Sequence, residues 1–265
     1  MITCELLGKL GNMMFQIATI ENMGYKSGLL TGYPHVDKNI ADLARPQACS
    51  SEYNGFEYFR VFKNFDWHKN HNGNMATDKI INVPFEYIPI IPRDRTCYIG
   101  YFQSEKYFPD RDFILNLFEP ADFIKERIDR YKDIIGINKA SIHIRRGDYI
   151  KLNHIYNVLG MDYYNEAIKV LKLCGVTEYL VFSNDIDWCK ANFGGDQFTF
   201  IKEDSFTELF LMGKTKYQII ANSAYSWWGA YMNNNPDRQI IAPKKWFVGE
   251  KHSDRDIIPQ NWIKL

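Results

Sequence analysis

The residues with the clearest chemical potential lie in the stretch Ser141–Tyr149, which reads SIHIRRGDY. Its branched, apolar beginning is typical of a buried strand, and the glycine predicts a turn. His143, Arg145, Arg146 and Asp148 therefore cluster near the end of a strand, where open α/β sheets bind ligands. Two neighbouring guanidinium groups favour an anion, because each can pair bidentately with phosphate or carboxylate. Ordinary salt bridges around a plain turn are the alternative for this stretch taken alone.

A second candidate is the glycine-containing turn after the short apolar run at residues 2–7. The turn contains Gly8, Gly11 and Asn12, and apolar residues then recur at helical spacing up to Gly24. At a strand-to-helix turn of this kind, backbone N–H groups can approach a phosphate, and the helix dipole assists. A plain turn in which Asn12 is only a helix N-cap is the alternative.

Polar residues also follow two further apolar runs. They are Ser183, Asn184 and Asp185 after the first run, and Asn222 and Ser223 after the second. Independent strand ends that converge with polar groups indicate a ligand at a topological switch point of an α/β sheet.

The elements that position these groups alternate regularly from residue 121 onward. We expect strands at 140–144, 178–182, 197–201, 217–221 and 239–242, and helices at about 122–135, from Asp162 to Gly175, through Trp188 and Cys189, at 205–213 and at 225–232. Short buried strands joined by crossover helices predict a parallel, doubly wound sheet.

The preceding region, residues 31–110, has no clean periodicity and is interrupted by prolines and aromatic clusters, so we expect it to be rich in loops. One strand, Tyr98–Gln103, is expected to lead to Gln103 and Ser104 facing the site. The polar residues His35, Asp37, His68 and His71 are expected to be surface residues in loops. The contrast between the two halves suggests two lobes that divide near 115–125.

Composition narrows the classes of partner. Lys+Arg and Asp+Glu are both 32, so the net charge is zero, which argues against a nucleic-acid or anionic-membrane partner. The five cysteines are odd in number and contain no CxxC pair, which favours a reducing, cytoplasmic location. The first residues do not resemble a signal peptide, and no apolar run approaches the roughly 18 residues that a membrane span needs. We therefore expect a soluble protein without a transmembrane segment.

Five stretches, in order along the chain, resemble the motifs of the α-1,2-fucosyltransferases, glycosyltransferase family 11. They are GKLGNMMFQ at residues 8–16, HIRRGDY at 143–149, FSND with Trp188 and Cys189, IIANSAYSWWGA at 219–230 and PKKWF at 243–247. Together these five stretches span nearly the whole chain, and their combination is specific for this family.

The resemblance implies an α/β fold of the GT-B type, with two Rossmann-like lobes. The expected lobes are residues 1–118, on the acceptor side and contributing the GxLGN loop, and residues 119–265, which would hold the donor GDP-fucose. The implied enzyme is a galactoside 2-α-L-fucosyltransferase. It would move L-fucose from GDP-β-L-fucose to the 2-hydroxyl of a galactose-terminated glycan, with inversion and without a metal or other cofactor.

The resemblance also implies roles for single residues. Arg145 would meet the charge that develops on the β-phosphate, His143 would orient phosphate or ribose, and Asp148 is a candidate general base or a partner of the arginines. The residues expected to bind the donor are Gly8, Gly11, Asn12, Arg146, Ser183, Asn184, Asp185, Asn222, Ser223 and Ser226. For Asp185, a helix N-cap is an equally good reading, and we expect Trp227 and Trp228 to be core residues.

Several residues depart from the family pattern. Lys9 and Met13 replace a usual arginine and glutamine, Thr215 and Tyr217 replace a usual cysteine and histidine, and Glu208 stands near a usual aspartate. Four alternatives stay open: transfer of another sugar, fucosylation with another linkage, a metal-dependent GT-A transferase that uses the Asp185-Ile186-Asp187 pattern, and a binding module without turnover.

Overall fold

The computed structural model describes residues 1–33, 60–65, 78–136 and 138–265. His35, Asp37, His68 and His71 lie outside the described residues. The chain forms two compact units: unit 1 is Met1–Ile124 with Arg255–Ile257, and unit 2 is Lys125–Asp254 with Ile258–Leu265.

Unit 1 is built on a parallel sheet. Its described elements are β1 (Ile2–Cys4), α1 (Leu10–Ser27), β2 (Thr31–Gly32), β3 (Lys79–Asn82), β4 (Thr96–Ile99), a 3-10 turn (Glu105–Tyr107) and α2 (Arg111–Leu117). The strand order in the sheet is β2-β1-β4-β3. Helix α3 (Asp122–Asp129) contains the division between the units. The predicted strand at Tyr98–Gln103 is therefore shorter at its end, and Gln103 lies in the loop after β4.

Helix α1 is the long helix that follows the predicted glycine turn. It continues past Gly24 to Ser27 and ends where Gly28 adopts a left-handed conformation, with φ of 69°. Its N-cap is Lys9, so Asn12 lies inside the first turn and its interpretation as the N-cap is wrong. The helix begins at Leu10, the first of the apolar residues that recur at helical spacing, and both Leu10 and Gly11 are buried.

Unit 2 is also built on a parallel sheet. Its elements after α3 are a 3-10 turn (Lys132–Ile134), β5 (Lys139–Ile144), α4 (Gly147–Lys151), α5 (Met161–Leu173), β6 (Glu178–Ser183), α6 (Ile186–Asn192), β7 (Phe198–Phe200), α7 (Ser205–Met212), β8 (Tyr217–Ile219), α8 (Ala224–Tyr231), β9 (Gln239–Ala242) and β10 (Ile263–Lys264). The strand order in the sheet is β10-β9-β8-β5-β6-β7. The predicted parallel α/β arrangement is confirmed.

Some local predictions for unit 2 are wrong. The helix expected at 122–135 ends at Asp129 and is followed by a separate 3-10 turn. Helix α5 has Gly160 as its N-cap and begins at Met161, one residue before the expected start at Asp162. The Asp162 carboxylate lies in the first turn, where its negative charge interacts favourably with the helix dipole.

Trp227 and Trp228 have no exposed surface, which confirms the prediction that they are core residues.

One buried glutamine ties unit 1 together. Gln16 has no exposed surface; its Oε1 accepts a hydrogen bond from the Leu7 N–H (2.9 Å), and its Nε2 donates to the Gly100 carbonyl (3.0 Å). The side chain therefore joins the turn after β1 to the end of β4. Buried backbone groups of this kind need such partners because water cannot reach them.

We expect Gln16→Met to lower the free energy of unfolding by about 2–4 kcal/mol, because two backbone groups lose their partner. Urea unfolding followed by circular dichroism measures the change. Gln197→Met is the matched control, since among the described residues its amide donates to the exposed Gly194 carbonyl alone, and the loss of this bond should cost almost nothing. Equal stability of the two variants would contradict the bridging role of Gln16.

Candidate active site

The candidate site is built on the carboxyl end of β5, the strand between β8 and β6 in unit 2. Strand residues Ala140–Ile144 are all buried, as expected for a parallel sheet covered on both faces. Arg145 and Arg146 follow immediately, and Gly147 begins the short helix α4. The two guanidinium groups are thus fixed to a rigid element at the edge where such sheets bind ligands.

Arg145 is held by its neighbour in the turn. Its Nη2 donates to Asp148 Oδ2 at 2.7 Å, and its guanidinium carbon lies 5.4 Å from the centre of the Tyr149 ring. The Arg145 side chain is 16% exposed, and among the described residues its Nε has no hydrogen-bond partner. The cation is therefore oriented and partly desolvated, and it keeps donor capacity for a ligand.

Arg146 is held by different groups. Its guanidinium carbon lies 4.1 Å from the centre of the Trp188 ring, a cation–π contact, and its Nε lies 3.5 Å from Asp185 Oδ2. Asp185 is also the N-cap of α6, where its Oδ1 accepts from the Trp188 N–H. The N-cap interpretation of Asp185 is confirmed, and the same carboxylate balances Arg146.

Asn184, which follows β6, tethers the turn Arg145–Asp148, called the arginine turn below, to the neighbouring strand. Its Oδ1 accepts from the Arg146 backbone N–H at 2.9 Å, and its Nδ2 lies 3.5 Å from Asp148 Oδ1. Gly147 makes this approach possible, because a Cβ atom there would lie 2.4 Å from Asn184 Nδ2. Ser183 completes the turn by accepting a hydrogen bond from the Asp185 N–H through its hydroxyl.

The residues that follow the third strand, β8, are hydrogen-bonded to the same turn. The Tyr149 hydroxyl donates to the Asn222 carbonyl at 3.0 Å, and the Asn222 Nδ2 donates to the Asn157 and Trp246 carbonyls. The predicted convergence of three strand ends is therefore present in unit 2. The side-chain amide nitrogen of Asn222 is therefore already hydrogen-bonded to these two loop carbonyls. Neither Asn222 nor Ser226, which follows it in the chain, has exposed surface.

Ser223 and Ser226 lie at the start of α8. Ser223 is the N-cap residue but makes no capping hydrogen bond with its side chain. The Ser226 hydroxyl donates to carbonyls within its own turn. A ligand that contacted the Ser226 hydroxyl would therefore compete with these local hydrogen bonds. Ser223 is also buried, but its hydroxyl does not cap the N-terminus of α8.

His143 is buried one residue before the end of β5, and its ring packs 5.5 Å from the Tyr225 ring. Burial and the nearby positive charge of Arg145 lower its pKa to about 3. Among the described residues its Nδ1 has no hydrogen-bond partner. His143 is therefore a neutral imidazole at physiological pH.

In unit 1, Gly8 and Asn12 form a close pair. Gly8 has a φ of 78°, and a Cβ atom there would lie 2.4 Å from Asn12 Nδ2. Gln103 Nε2 donates to Asn12 Oδ1 at 2.8 Å, and Gly11 is buried in the first turn of α1. The structure thus places Gly8, Gly11 and Asn12 in one unit and the arginine turn in the other.

Sequence reasoning gave no role to Glu208, in the first turn of α7. Burial, together with the nearby Asp204 and Glu203 carboxylates, raises its pKa to about 8, although the Glu203 N–H donates to its Oε1. The signals in the sequence were the position of Glu208 near a usual aspartate of the family and the acidic pattern Glu203-Asp204 before the helix. A carboxyl group that is largely protonated at neutral pH is able to donate a hydrogen bond.

Within the described ranges, no group of three or more His, Cys, Asp and Glu side chains could hold a metal ion. In the same ranges, no helix is long and apolar enough to cross a membrane.

Comparison with known proteins gives a family. The family model described as glycosyl transferase family 11 matches residues 60–265. The O-antigen biosynthesis glycosyltransferase WbnK of Escherichia coli is 37% identical over an alignment of 184 residues. That alignment covers 64% of this chain and 60% of that protein. An alpha-1,2-colitosyltransferase of Escherichia coli is 28% identical over 302 residues, covering 100% of this chain and 98% of that protein.

Two solved structures share the fold. POFUT1 in complex with GDP has a TM-score of 0.55 and 11% identity, and covers 91% of this chain and 97% of that chain. POFUT1 in complex with GDP-fucose has a TM-score of 0.54 and 12% identity, with the same coverage. The fold is the α/β GT-B type that the resemblance implied.

We expect Gly147→Ala to weaken about tenfold the binding of GDP, the ligand that the sequence motifs predict for this turn, because the new methyl group displaces Asn184 and releases the Arg146 N–H. Isothermal titration calorimetry measures the affinity. Gly160→Ala is the matched control, since no atom of the described residues, apart from its chain neighbours, lies within 4 Å of its Cβ position. Wild-type affinity in Gly147→Ala would show that the tether does not position the arginine turn.

We also expect His143 to destabilise the protein in acid. The unfolded chain takes up a proton near pH 6.5, whereas the folded protein does so only near pH 3, so stability is lost as pH falls through this window. The loss reaches roughly 3–5 kcal/mol at its lower end. Unfolding free energies of the wild type and His143→Gln at several pH values test this. Parallel curves between pH 6.5 and 4 would refute the buried, neutral state.

Proposed function

Because the chain belongs to glycosyltransferase family 11, we propose that it transfers L-fucose from GDP-β-L-fucose to the 2-hydroxyl of a terminal galactose in a glycan. The sequence motifs support the donor, and the alpha-1,2-colitosyltransferase that aligns with the whole chain supports the linkage. The co-substrates are GDP-fucose and a galactose-terminated glycan, and the cytoplasm remains the predicted location.

The reaction is an inverting displacement. The acceptor oxygen bonds to C1 of fucose, the bond from C1 to the β-phosphate oxygen breaks, and GDP leaves with the electron pair. The acceptor proton passes to a base. Negative charge therefore grows on the β-phosphate, and catalysis requires a group fixed in advance to stabilise it.

The observation that carries the proposal is the arginine turn after β5. Arg145 and Arg146 are anchored by Asp148, Trp188 and Asp185, and so need little reorganisation when charge develops. Their pairing with protein carboxylates is incomplete, which leaves donors for phosphate oxygens. We assign the leaving-group charge to Arg145, with Arg146 assisting.

The other residues of unit 2 support this role. Asp148 positions Arg145, since its Oδ2 accepts from that guanidinium. A neutral His143 can orient phosphate or ribose by hydrogen bonding without adding a third positive charge. Donor contacts are assigned to Ser183, Asn184, Asp185, Asn222, Ser223 and Ser226, and, in unit 1, to Gly8, Gly11 and Asn12.

We further propose that transfer is independent of metal ions. In the Asp185-Ile186-Asp187 pattern, Asp185 Oδ1 accepts the N-cap hydrogen bond of α6, and Oδ2 lies 3.5 Å from Arg146 Nε, so the charge of this carboxylate is already balanced by a protein cation. A fixed guanidinium can neutralise the leaving phosphate in place of a divalent cation.

Transfer of colitose is a second candidate. It is favoured by one observation, the similarity of the complete chain to an alpha-1,2-colitosyltransferase. Colitose lacks the 3-hydroxyl of L-fucose, so the two donors differ by a single oxygen.

The test is GDP release in the presence of EDTA, with GDP-fucose alone and then with lactose or with type 1 and type 2 disaccharides. We expect release that depends on the acceptor, and an α1,2 linkage in the product by NMR. Turnover with GDP-colitose only would favour the second candidate. Loss of activity in EDTA, restored by Mn²⁺ or Mg²⁺, would overturn metal independence.

We expect Arg145→Ala to lower kcat at least 10²-fold, because the charge on the leaving phosphate loses its fixed partner. The melting temperature should hardly change, since Asp148 is one-third exposed and regains water. Initial rates of GDP release and thermal unfolding measure both effects. Arg130→Ala, at an exposed position, is the control. Full activity in Arg145→Ala would remove this residue from the mechanism.

A further inference from the structure

Gln103 has an unused hydrogen-bond acceptor beside the N-terminus of α1. The side chain is 6% exposed, and its Nε2 donates to Asn12 Oδ1 at 2.8 Å. Among the described residues, its Oε1 has no hydrogen-bond partner. A buried carbonyl oxygen without a partner costs free energy, so a ligand group that donates a hydrogen bond to this atom is favoured.

The backbone before Gln103 is held in an unusual conformation. Phe102 is fully buried and has a φ of 51°, which is rare for a bulky residue. The loop is fixed on either side, because Gln16 Nε2 donates to the Gly100 carbonyl and the Ser104 N–H donates to the Phe102 carbonyl. The direction of the Gln103 side chain is therefore set by the backbone.

Asn12 fixes the amide itself. Its side chain lies against Gly8, which leaves room for it because glycine has no Cβ. In this position Asn12 Oδ1 accepts the Gln103 N–H, so Gln103 Oε1 is the atom left over.

We propose that Gln103 binds a sugar hydroxyl through Oε1 and so determines substrate specificity. A carbonyl oxygen accepts hydrogen bonds only, which excludes an ionised phosphate oxygen and calls for an O–H or N–H group; the sugars of the proposed reaction supply O–H groups. The inference rests on the proposed function, which supplies two sugars with hydroxyls: the fucosyl group of the donor and the galactoside acceptor.

The test uses two variants of the full chain. Gln103→Met removes both polar atoms at nearly the same length, and Gln103→Glu keeps an acceptor oxygen but removes the N–H that Asn12 accepts. We measure affinities for GDP and for GDP-fucose by calorimetry, and KM for lactose by GDP release. Gln197→Met is the control that should behave as the wild type.

We expect Gln103→Met to change about tenfold either the affinity for GDP-fucose or the KM for lactose, but not both. A weaker affinity for GDP-fucose, with unchanged affinity for GDP, assigns the hydroxyl to the fucosyl group. A higher KM for lactose, with unchanged donor affinity, assigns it to the acceptor. In either case Gln103→Glu should stay closer to the wild type than Gln103→Met.

Two results would overturn the assignment. One is wild-type affinities and KM in Gln103→Met. The other is a fall in melting temperature with equal loss of function in both variants, which is the outcome for a purely structural bond to Asn12. Absence of turnover and of GDP-fucose binding in the wild type would instead refute the proposed function, and the inference with it.

Discussion

The site in unit 2 depends on one constraint: two adjacent arginines must be held at the end of a buried strand although their charges repel. Each is balanced by a different group, Arg145 by Asp148 and Arg146 by Asp185 with the Trp188 ring. Because these partners come from α4 and α6, the two cations point to separate neighbours. The cost of desolvating them is reduced by the pairing, and residual donor capacity stays available to an anion.

The same constraint explains the neighbours of the turn. A charged His143 would add a third cation beside Arg145, and burial already opposes that charge, so the imidazole stays neutral. Asn184 and the Tyr149 hydroxyl connect the turn to the ends of β6 and β8 through neutral hydrogen bonds. Such bonds fix position without disturbing the balance of charge.

Much of unit 2 could be predicted from the sequence, because strands buried on both faces are written as continuous apolar runs between turn residues. Strands β2 and β10, with two residues each, carry no such signal. The arginine turn was visible as a motif, but its tether to Asn184 depends on a strand pairing that brings distant residues together. Gln103 was expected to face the site, whereas the orphaned oxygen that gives it a role depends on its contact with Asn12.

The departures from the family pattern take on meaning from their surroundings. Met13 is fully buried in unit 1, and Thr215 is fully buried in unit 2, where its hydroxyl accepts the Ser141 N–H and donates to nearby carbonyls. Both residues therefore serve packing and backbone hydrogen bonds within their own units. Lys9, in contrast, is exposed at the start of α1 and keeps the positive charge of the usual arginine, although it loses the planar fork. Differences in rate or specificity should accordingly arise at Lys9 rather than at the two buried positions.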